Sequence, residues 1–221
     1  MQFHSIPRFL RKTVPCSLAL CMSILCLTAC GTQGDDSEIS QDQLPYGATL
    51  TLNTSNEISV QHDKRYLDDA LVSKISDFYY AIQTQDTALF QSVQLPIYHD
   101  YMLSVLNDGQ FTDADILNFA YQTDLTAEDK TEYDFSLIDI TDAKKGTVYS
   151  ESANVIAMID SLCTEQKIPK MSQDIDAAYE LSIARFLTEK DSGIRHETGV
   201  MLTEETIVAL RYQGEWYIMF D

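Results

Sequence analysis

Basic side chains are scarce in this 221-residue chain, and cysteine is nearly absent from its larger part. The chain has 34 acidic against 15 basic side chains, and residues 1–29 hold three of the basic ones and no acid. The remainder therefore carries a formal charge of −22, which disfavours nucleic acid and an anionic membrane surface as its partners. Four of the five cysteines lie in the first 30 residues, which excludes a disulfide framework.

Motifs for metals, nucleotides and nucleophilic catalysis are also missing. Beyond the N-terminal segment, His62, His99 and His196 are isolated in sequence, so we expect no metal site and no cofactor. The chain has no Gly-x-Ser-x-Gly, no P-loop and no Gly-x-Gly-x-x-Gly. Its apolar content of 45% nevertheless excludes a wholly disordered chain.

The N-terminus has the pattern of an export signal. Residues 1–12 are basic, and residues 14–29 are apolar and uncharged. The apolar run is shorter than the roughly 18 residues that a spanning helix needs, and a polar stretch follows it. The sequence therefore predicts a signal peptide over residues 1–29.

Leu27-Thr28-Ala29-Cys30 resembles the lipobox of bacterial lipoproteins. The resemblance implies that signal peptidase II cleaves before Cys30 and that its sulfur carries diacylglycerol, palmitate being a typical acyl chain. The protein would then be lipid-anchored to the outer face of the bacterial cytoplasmic membrane, or to the outer membrane in a diderm cell, because two acyl chains anchor stably. The alternatives are a secretory peptide with an incidental cysteine and an uncleaved membrane anchor.

The mature chain divides into three predicted parts. Residues 30–45 are polar and acidic and predict a flexible tether. Residues 46–65 alternate apolar and polar side chains and predict a small β-hairpin. Residues 66–221 predict one α+β domain, in which Cys163 lies in an apolar helical stretch typical of a small core residue.

The order of elements in this domain places helices before strands. Helical periodicity predicts helices from Leu67 to Ile82 and over residues 87–94, 98–106, 112–123 and 152–166, with Thr112 and Asp115 forming an N-cap. Strands are predicted over residues 133–141, 177–188, 199–203, 206–212 and 216–220, with turns at 144–146 and 213–215 and a bulge at 204–205. We therefore expect helices packed on one face of an antiparallel sheet.

Two segments resemble the cone-shaped family of nuclear transport factor 2, ketosteroid isomerase and the SnoaL-like cyclases, whose fold is also described as cystatin-like. They are FYYAIQTQDTALF, where Asp86 opens a short helix, and ETIVALRYQGEWYIMF, where Trp216 lies on the last strand. The resemblance covers about residues 66–221 and implies a curved antiparallel sheet with an apolar pocket at its open end. The helix over 152–166 departs from the family pattern.

In enzymes of this family an Asp base and Tyr or Asp donors lie in the pocket. By that resemblance the candidates here are Tyr79, Tyr98, Tyr101, Asp139 and Arg185. Asp139 and Arg185 each interrupt an apolar strand face, so we predict that they form an ion pair across the sheet. The alternatives are that both reach solvent near strand ends and that the tyrosines are core residues.

The leading functional interpretation is a non-enzymatic lipoprotein whose domain binds a partner protein or a small ligand in the cell envelope. One alternative is a pocket enzyme of the isomerase, cyclase or hydrolase type, which needs a buried carboxyl group of raised pKa facing a Tyr or His. The other is a structural envelope component, which predicts an exposed apolar patch at Phe186, Tyr217 and Met219. The same patch could serve a homodimer through the sheet.

Overall fold

A computed structural model describes residues 45–146, 150–190, 200–202 and 204–219. The predicted signal peptide, Cys30 and nearly all of the tether lie outside the described residues. The helices are α1 Asp69–Thr84, α2 Thr87–Ser92, α3 Pro96–Val105, α4 Asp113–Asp124 and α5 Glu151–Glu165. The strands are β1 Thr49–Asn53, β2 Ser59–Asp63, β3 Tyr133–Lys145, β4 Ile175–Glu189, β5 Val200–Met201, β6 Glu205–Tyr212 and β7 Glu215–Met219.

Side-chain caps define where α1, α2, α4 and α5 begin, the last of them capped by Ser150. Asp68 precedes α1 and accepts from the backbone N–H of Leu71 at 2.8 Å. Asp86 caps α2, and Thr112 with Asp115 forms a capping box on α4. These caps satisfy backbone N–H groups that have no partner within the helix. The predicted starts at Asp86 and Thr112 are therefore confirmed.

The sheet is mixed rather than purely antiparallel. Its order is β1-β2-β3-β4-β6-β7, and β5 pairs with β4 farther along the same edge as β6. All pairs are antiparallel except β2–β3, where Ser59–Gln61 run parallel to Leu137–Asp139. The expectation of a fully antiparallel sheet is wrong at this pair, because four helices connect β2 to β3 and allow a parallel crossover. The predicted hairpin forms and extends the main sheet.

An irregularity in the β3–β4 ladder decides which β3 side chains face the core. The register shifts between Phe135 and Leu137, so that Phe135 and Ile138 are both buried although they lie three residues apart. Strict alternation would have placed Asp139 on the Phe135 face, but the bulge turns it to the other face. The register shifts a second time between residues 140 and 142. Strand β3 continues to Lys145, so the prediction of a turn over residues 144–146 is wrong at Lys144 and Lys145.

The two faces of the sheet carry separate hydrophobic clusters. The main core lies between α1, α2, α4 and one sheet face, and includes Ile207 and Ala209 of β6. The alternate β6 residues Val208 and Leu210 pack on the other face against α3 and α5, where Cys163 is fully buried. The helices thus lie on both faces, and the expectation of helices on one face only is wrong. Cys163 is a core residue, as predicted.

The expected exposed apolar patch on the second sheet face does not form at strand β7. Met219 is 2% exposed, and Tyr217 is half-buried, because α3 and α5 cover β6 and β7. Phe186, on β4, is half-buried. The prediction of an exposed patch at these three residues is therefore wrong for Met219, whereas Phe186 and Tyr217 each keep part of their surface exposed.

Asp68 ties the N-terminus of α1 to the C-terminal hairpin. The Trp216 indole N–H donates to Asp68 Oδ1 at 3.1 Å, and Arg211 Nη1 lies 3.8 Å from Asp68 Oδ2. The Arg211 guanidinium also lies over the Trp216 ring, 5.4 Å from its centre. One carboxylate therefore caps a helix and positions the last two strands.

We expect Asp68→Ala to lower the free energy of unfolding by about 1–3 kcal/mol, because the helix cap and the Trp216 hydrogen bond are both lost. Urea unfolding followed by circular dichroism and by fluorescence of Trp216, the single tryptophan, measures this. The matched control is Asp69→Ala, since Asp69 is exposed and pairs only with Lys64 at 3.7 Å. A loss equal to that of the control would contradict the role of Asp68.

Candidate functional site

Side chains from four different elements meet near the end of β4. Arg185 Nη1 lies 2.6 Å from Asp124 Oδ2 at the end of α4, and 3.4 Å from Glu205 Oε2 at the start of β6. The hydroxyl of Tyr79 on α1 donates to Glu205 Oε1. We call these four residues the Arg185 cluster.

The cluster extends from the core towards the surface, with Tyr79 at its inner end. Tyr79 is 0% and Arg185 7% exposed, whereas the Glu205 side chain keeps 32% of its surface. Burial, together with the Glu205 charge, raises the pKa of the Tyr79 hydroxyl well above its usual range. Burial also raises the pKa of Glu205, although the Tyr79 hydrogen bond and the Arg185 charge oppose this.

This arrangement stabilises a buried guanidinium and leaves one of its atoms unpaired. Arg185 lies between two carboxylates, which offset the cost of burying its charge. Its Nε is buried and has no hydrogen-bond partner within the described residues. Proton-transfer catalysis uses a carboxyl group of raised pKa, commonly beside a second proton donor. Glu205, which contacts the Tyr79 hydroxyl, meets this description.

The structure brings two of the five predicted pocket residues together. Tyr79 and Arg185 both contact Glu205. Tyr98 is buried on the opposite sheet face, in the hydrophobic cluster that includes Cys163 of α5, and Tyr101 lies half-buried on α3. These two tyrosines therefore do not share a site with Arg185.

The predicted pair between Asp139 and Arg185 does not form. Arg185 lies opposite Ile138 on the core face, while the bulge in β3 places Asp139 opposite Ala184 on the other face. Burial and the nearby charge of Glu204 raise the pKa of Asp139. Both predictions for Arg185 are wrong: it does not pair with Asp139, and it does not reach solvent.

Sequence reasoning missed Asp124 and Glu205, the two carboxylates that neutralise Arg185. The available signal was the arginine itself, because a cation on an apolar strand face requires an acidic partner. That signal does not select among 34 acidic residues. Asp124 ends a helix and Glu205 begins a strand, so each comes to Arg185 only through the tertiary fold.

A groove of about 1100 Å³ opens between the β1–β2 turn, the end of α1 and the beginning of β3. Its neutral polar lining consists of Thr51, Ser55, Asn56, Ser59, Gln83, Thr84, Ser136 and Thr188. Tyr80 and Leu137 contribute aromatic and aliphatic surface, and the charged lining residues are Glu57, Asp134 and Lys190. The five residues predicted for a pocket are not part of this lining.

Hydrogen bonds hold the groove walls in place. Gln83 Oε1 on α1 accepts from the Phe135 backbone N–H at 2.7 Å, which joins the helix to β3. Asn56 Oδ1, in the β1–β2 turn, accepts from the hydroxyls of Thr54 at 2.6 Å and Ser76 at 2.7 Å. The groove is therefore largely formed before any ligand binds, as is typical of binding sites.

A second polar cluster joins α2, α3 and α4. His99 Nε2 lies 2.6 Å from Asp113 Oδ1, and Gln91 Nε2 donates to the other oxygen of Asp113. His99 and Asp113 are both buried, and each belongs to a different helix. Within the described part of the chain, no three His, Cys, Asp or Glu side chains group as ligands for a metal ion.

Neither a protein-family model, nor a curated protein, nor a solved structure matches this chain. The lipobox and cone-fold resemblances therefore stay predictions. Among the described residues, no helix combines the length and the apolar character needed to cross a membrane.

We expect Arg185→Met to lower the free energy of unfolding by about 2–4 kcal/mol, because Asp124 and Glu205 then face each other without a counter-charge. Adding Glu205→Gln should restore part of the loss, since it removes one of the two repelling charges. Urea unfolding of the single and double variants measures the coupling.

The same substitution at Arg211 provides the control, because its side chain is 35% exposed and pairs with Asp176 at the surface. Arg211 also lies near Asp68 and over the Trp216 ring, but its charge stays in contact with solvent, so we expect Arg211→Met to cost only about 1 kcal/mol. If the two arginine variants lost the same stability, the buried pairing assigned to Arg185 would be wrong.

Proposed function

We propose that this chain is an exported bacterial lipoprotein whose α+β domain binds a small polar ligand or a partner protein outside the cytoplasm. The sequence Leu27-Thr28-Ala29-Cys30 after an apolar run supports anchoring by diacylglycerol on Cys30. Cleavage by signal peptidase II would leave 192 residues at the outer face of the cytoplasmic membrane, or at the outer membrane of a diderm cell. The charge of −22 on these residues keeps the domain soluble near an anionic membrane surface.

Contacts of Pro45, Gly47 and Ala48 support a start of the folded domain near residue 46. Asp63, 0% exposed, accepts from the backbone N–H groups of Gly47 at 3.1 Å and Ala48 at 3.0 Å. Arg65 pairs with Asp63 and donates from Nη2 to the Pro45 carbonyl at 3.0 Å. The Arg65 hydrogen bond holds the pKa of Asp63 well below its usual range, so this contact persists in moderate acid.

The groove is the observation that carries the binding role. Besides Tyr80, eight of its lining residues carry neutral hydroxyl or amide groups, which both donate and accept hydrogen bonds. The charged lining residues Glu57, Asp134 and Lys190 together give a formal charge of only −1. Such a surface favours a neutral polar ligand with hydroxyl groups, such as an oligosaccharide, over an apolar or highly charged one. Tyr80 offers an aromatic surface on which a sugar ring can pack.

We also propose the nuclear transport factor 2-like cone as the finer description of residues 66–221. Asp86 as the cap of the helix after α1, and Trp216 on the last strand, support it. The position of α5 on the second sheet face departs from that pattern. Because α3 and α5 cover β6 and β7, a homodimer through the sheet would have to use the β1–β4 part of that face.

A second candidate function is proton-transfer catalysis at the Arg185 cluster. The observation that favours it is Glu205, a carboxyl group of raised pKa that accepts the Tyr79 hydroxyl proton in a hydrogen bond. The Tyr79 hydroxyl is already used in that bond, and two carboxylates already surround Arg185. These contacts support a structural role more than a catalytic one, so binding remains the preferred function.

We expect Cys30→Ser to abolish incorporation of labelled palmitate and to release the protein from the membrane fraction, because the acylated sulfur is lost. Cys26→Ser is the matched control, since Cys26 lies in the same apolar segment four residues earlier. Mass spectrometry of the mature N-terminus identifies the modified residue. Labelling that persists in Cys30→Ser would exclude the proposed anchor.

We expect the domain to bind neutral oligosaccharides, and Tyr80→Ala to weaken that binding about tenfold or more through loss of the aromatic surface. Isothermal titration calorimetry with a panel of neutral oligosaccharides measures the affinity. Tyr101→Ala is the control, because Tyr101 is also a half-buried helical tyrosine but lies outside the groove. Binding of fatty acids with no binding of oligosaccharides would contradict the assigned ligand class.

A further inference from the structure

His62 is buried without a hydrogen-bond partner. Its exposed fraction is 0%, and neither Nδ1 nor Nε2 forms a hydrogen bond within the described residues. On β2 it follows Val60 by two residues and lies opposite Leu50 of β1, so it shares the core face of the hairpin. A neutral imidazole is tolerated there at some cost, but a protonated one would place an unpaired charge in the core.

The charges around the ring do not remove this cost. The charged groups that act most strongly on His62 are Asp69 of α1, Asp63 and Lys64. The two carboxylates and the Val60 carbonyl favour the protonated imidazole, whereas Lys64 disfavours it. The Val60 carbonyl makes no hydrogen bond to the ring. Strand β1 has no titratable residue, and Asp139 of β3 lies on the opposite sheet face. Burial outweighs these effects and lowers the pKa of His62 below its usual 6.5.

The hairpin that carries His62 joins the rest of the sheet through only three residue pairs. Strand β1 is an edge strand that pairs only with β2, and β2 pairs with β3 over three residues, Ser59–Gln61. The β1–β2 turn is tied to α1 by side-chain hydrogen bonds, among them Asn56 Nδ2 to Asp77 Oδ1 at 3.1 Å. Residues 55–59 of this turn form one wall of the groove.

We infer that protonation of His62 in mildly acidic solution releases the β1–β2 hairpin from β3 and α1 and so opens one wall of the groove. In the open hairpin the charged imidazole is hydrated, whereas in the closed hairpin it is not. The closed state therefore keeps its full stability above the usual pKa of 6.5 and loses stability as the pH falls below it. The open fraction rises by up to about tenfold per pH unit in that range.

Opening of the hairpin does not require that the groove bind anything. Only its consequence, weaker ligand binding in acid, rests on the proposed function. The two are tested separately, because hairpin opening is measured without ligand. An acid-opened hairpin in a protein that binds no oligosaccharide would support this inference and contradict the proposed function.

Hydrogen–deuterium exchange of the lipidated protein in detergent micelles tests the inference on peptides that cover residues 48–63. Wild type and His62→Gln are compared at about pH 7.5 and about pH 5.5, because the comparison at one pH cancels the intrinsic exchange rate. We expect equal exchange at the higher pH. At the lower pH, wild type should exchange up to about tenfold faster than the variant in these peptides.

His99→Gln is the matched control, because His99 is also a buried histidine but is paired with Asp113. This variant should keep the acid-dependent exchange of the hairpin. His62→Leu serves as a second variant if His62→Gln does not fold, since leucine removes the titration and fits an apolar site. Equal hairpin exchange in wild type and a folded His62 variant at the lower pH would overturn the inference.

Discussion

The buried guanidinium of Arg185 requires acidic partners, and these partners link four elements of the domain. Arg185 lies on the longest strand pair of the sheet, and its partners come from α4 and β6. Through Glu205 it also contacts Tyr79 on α1. A buried cation cannot be left unpaired without a cost of several kcal/mol, so these elements must converge on one point.

Local signals in the sequence predicted most of the elements and very little of the site. Asp86 and Thr112 are caps that act within three residues, so their helices could be assigned without any tertiary knowledge. The bulge after Phe135 leaves no comparable mark, because its residues have ordinary strand propensity. That one irregularity placed Asp139 on the wrong face in the prediction and so produced the false pair with Arg185.

The second face of the sheet was mispredicted for a related reason. An amphipathic pattern says that a helix has an apolar side, but not which layer receives it. Val208 and Leu210 alternate with Ile207 and Ala209, so β6 is apolar on both faces and needs cover on both. Helices α3 and α5 supply that cover. A strand with two apolar faces was the signal in the sequence that argued against a single helical layer.

The neighbours His62 and Asp63 are both fully buried, but Asp63 is stable there only when charged and His62 only when neutral. Asp63 must stay ionised, because backbone N–H groups and Arg65 donate to its carboxylate, and these donors hold its pKa low. His62 must stay neutral, because nothing donates to or accepts from its ring within the described residues. In moderate acid Asp63 is still ionised, but the neutral form of His62 is no longer favoured. Acid therefore destabilises β2 near its C-terminal end, at His62, while the contact that joins residues 45–48 to Asp63 persists. The hairpin is thus expected to separate from the sheet before the β1–β2 pairing next to Asp63 opens.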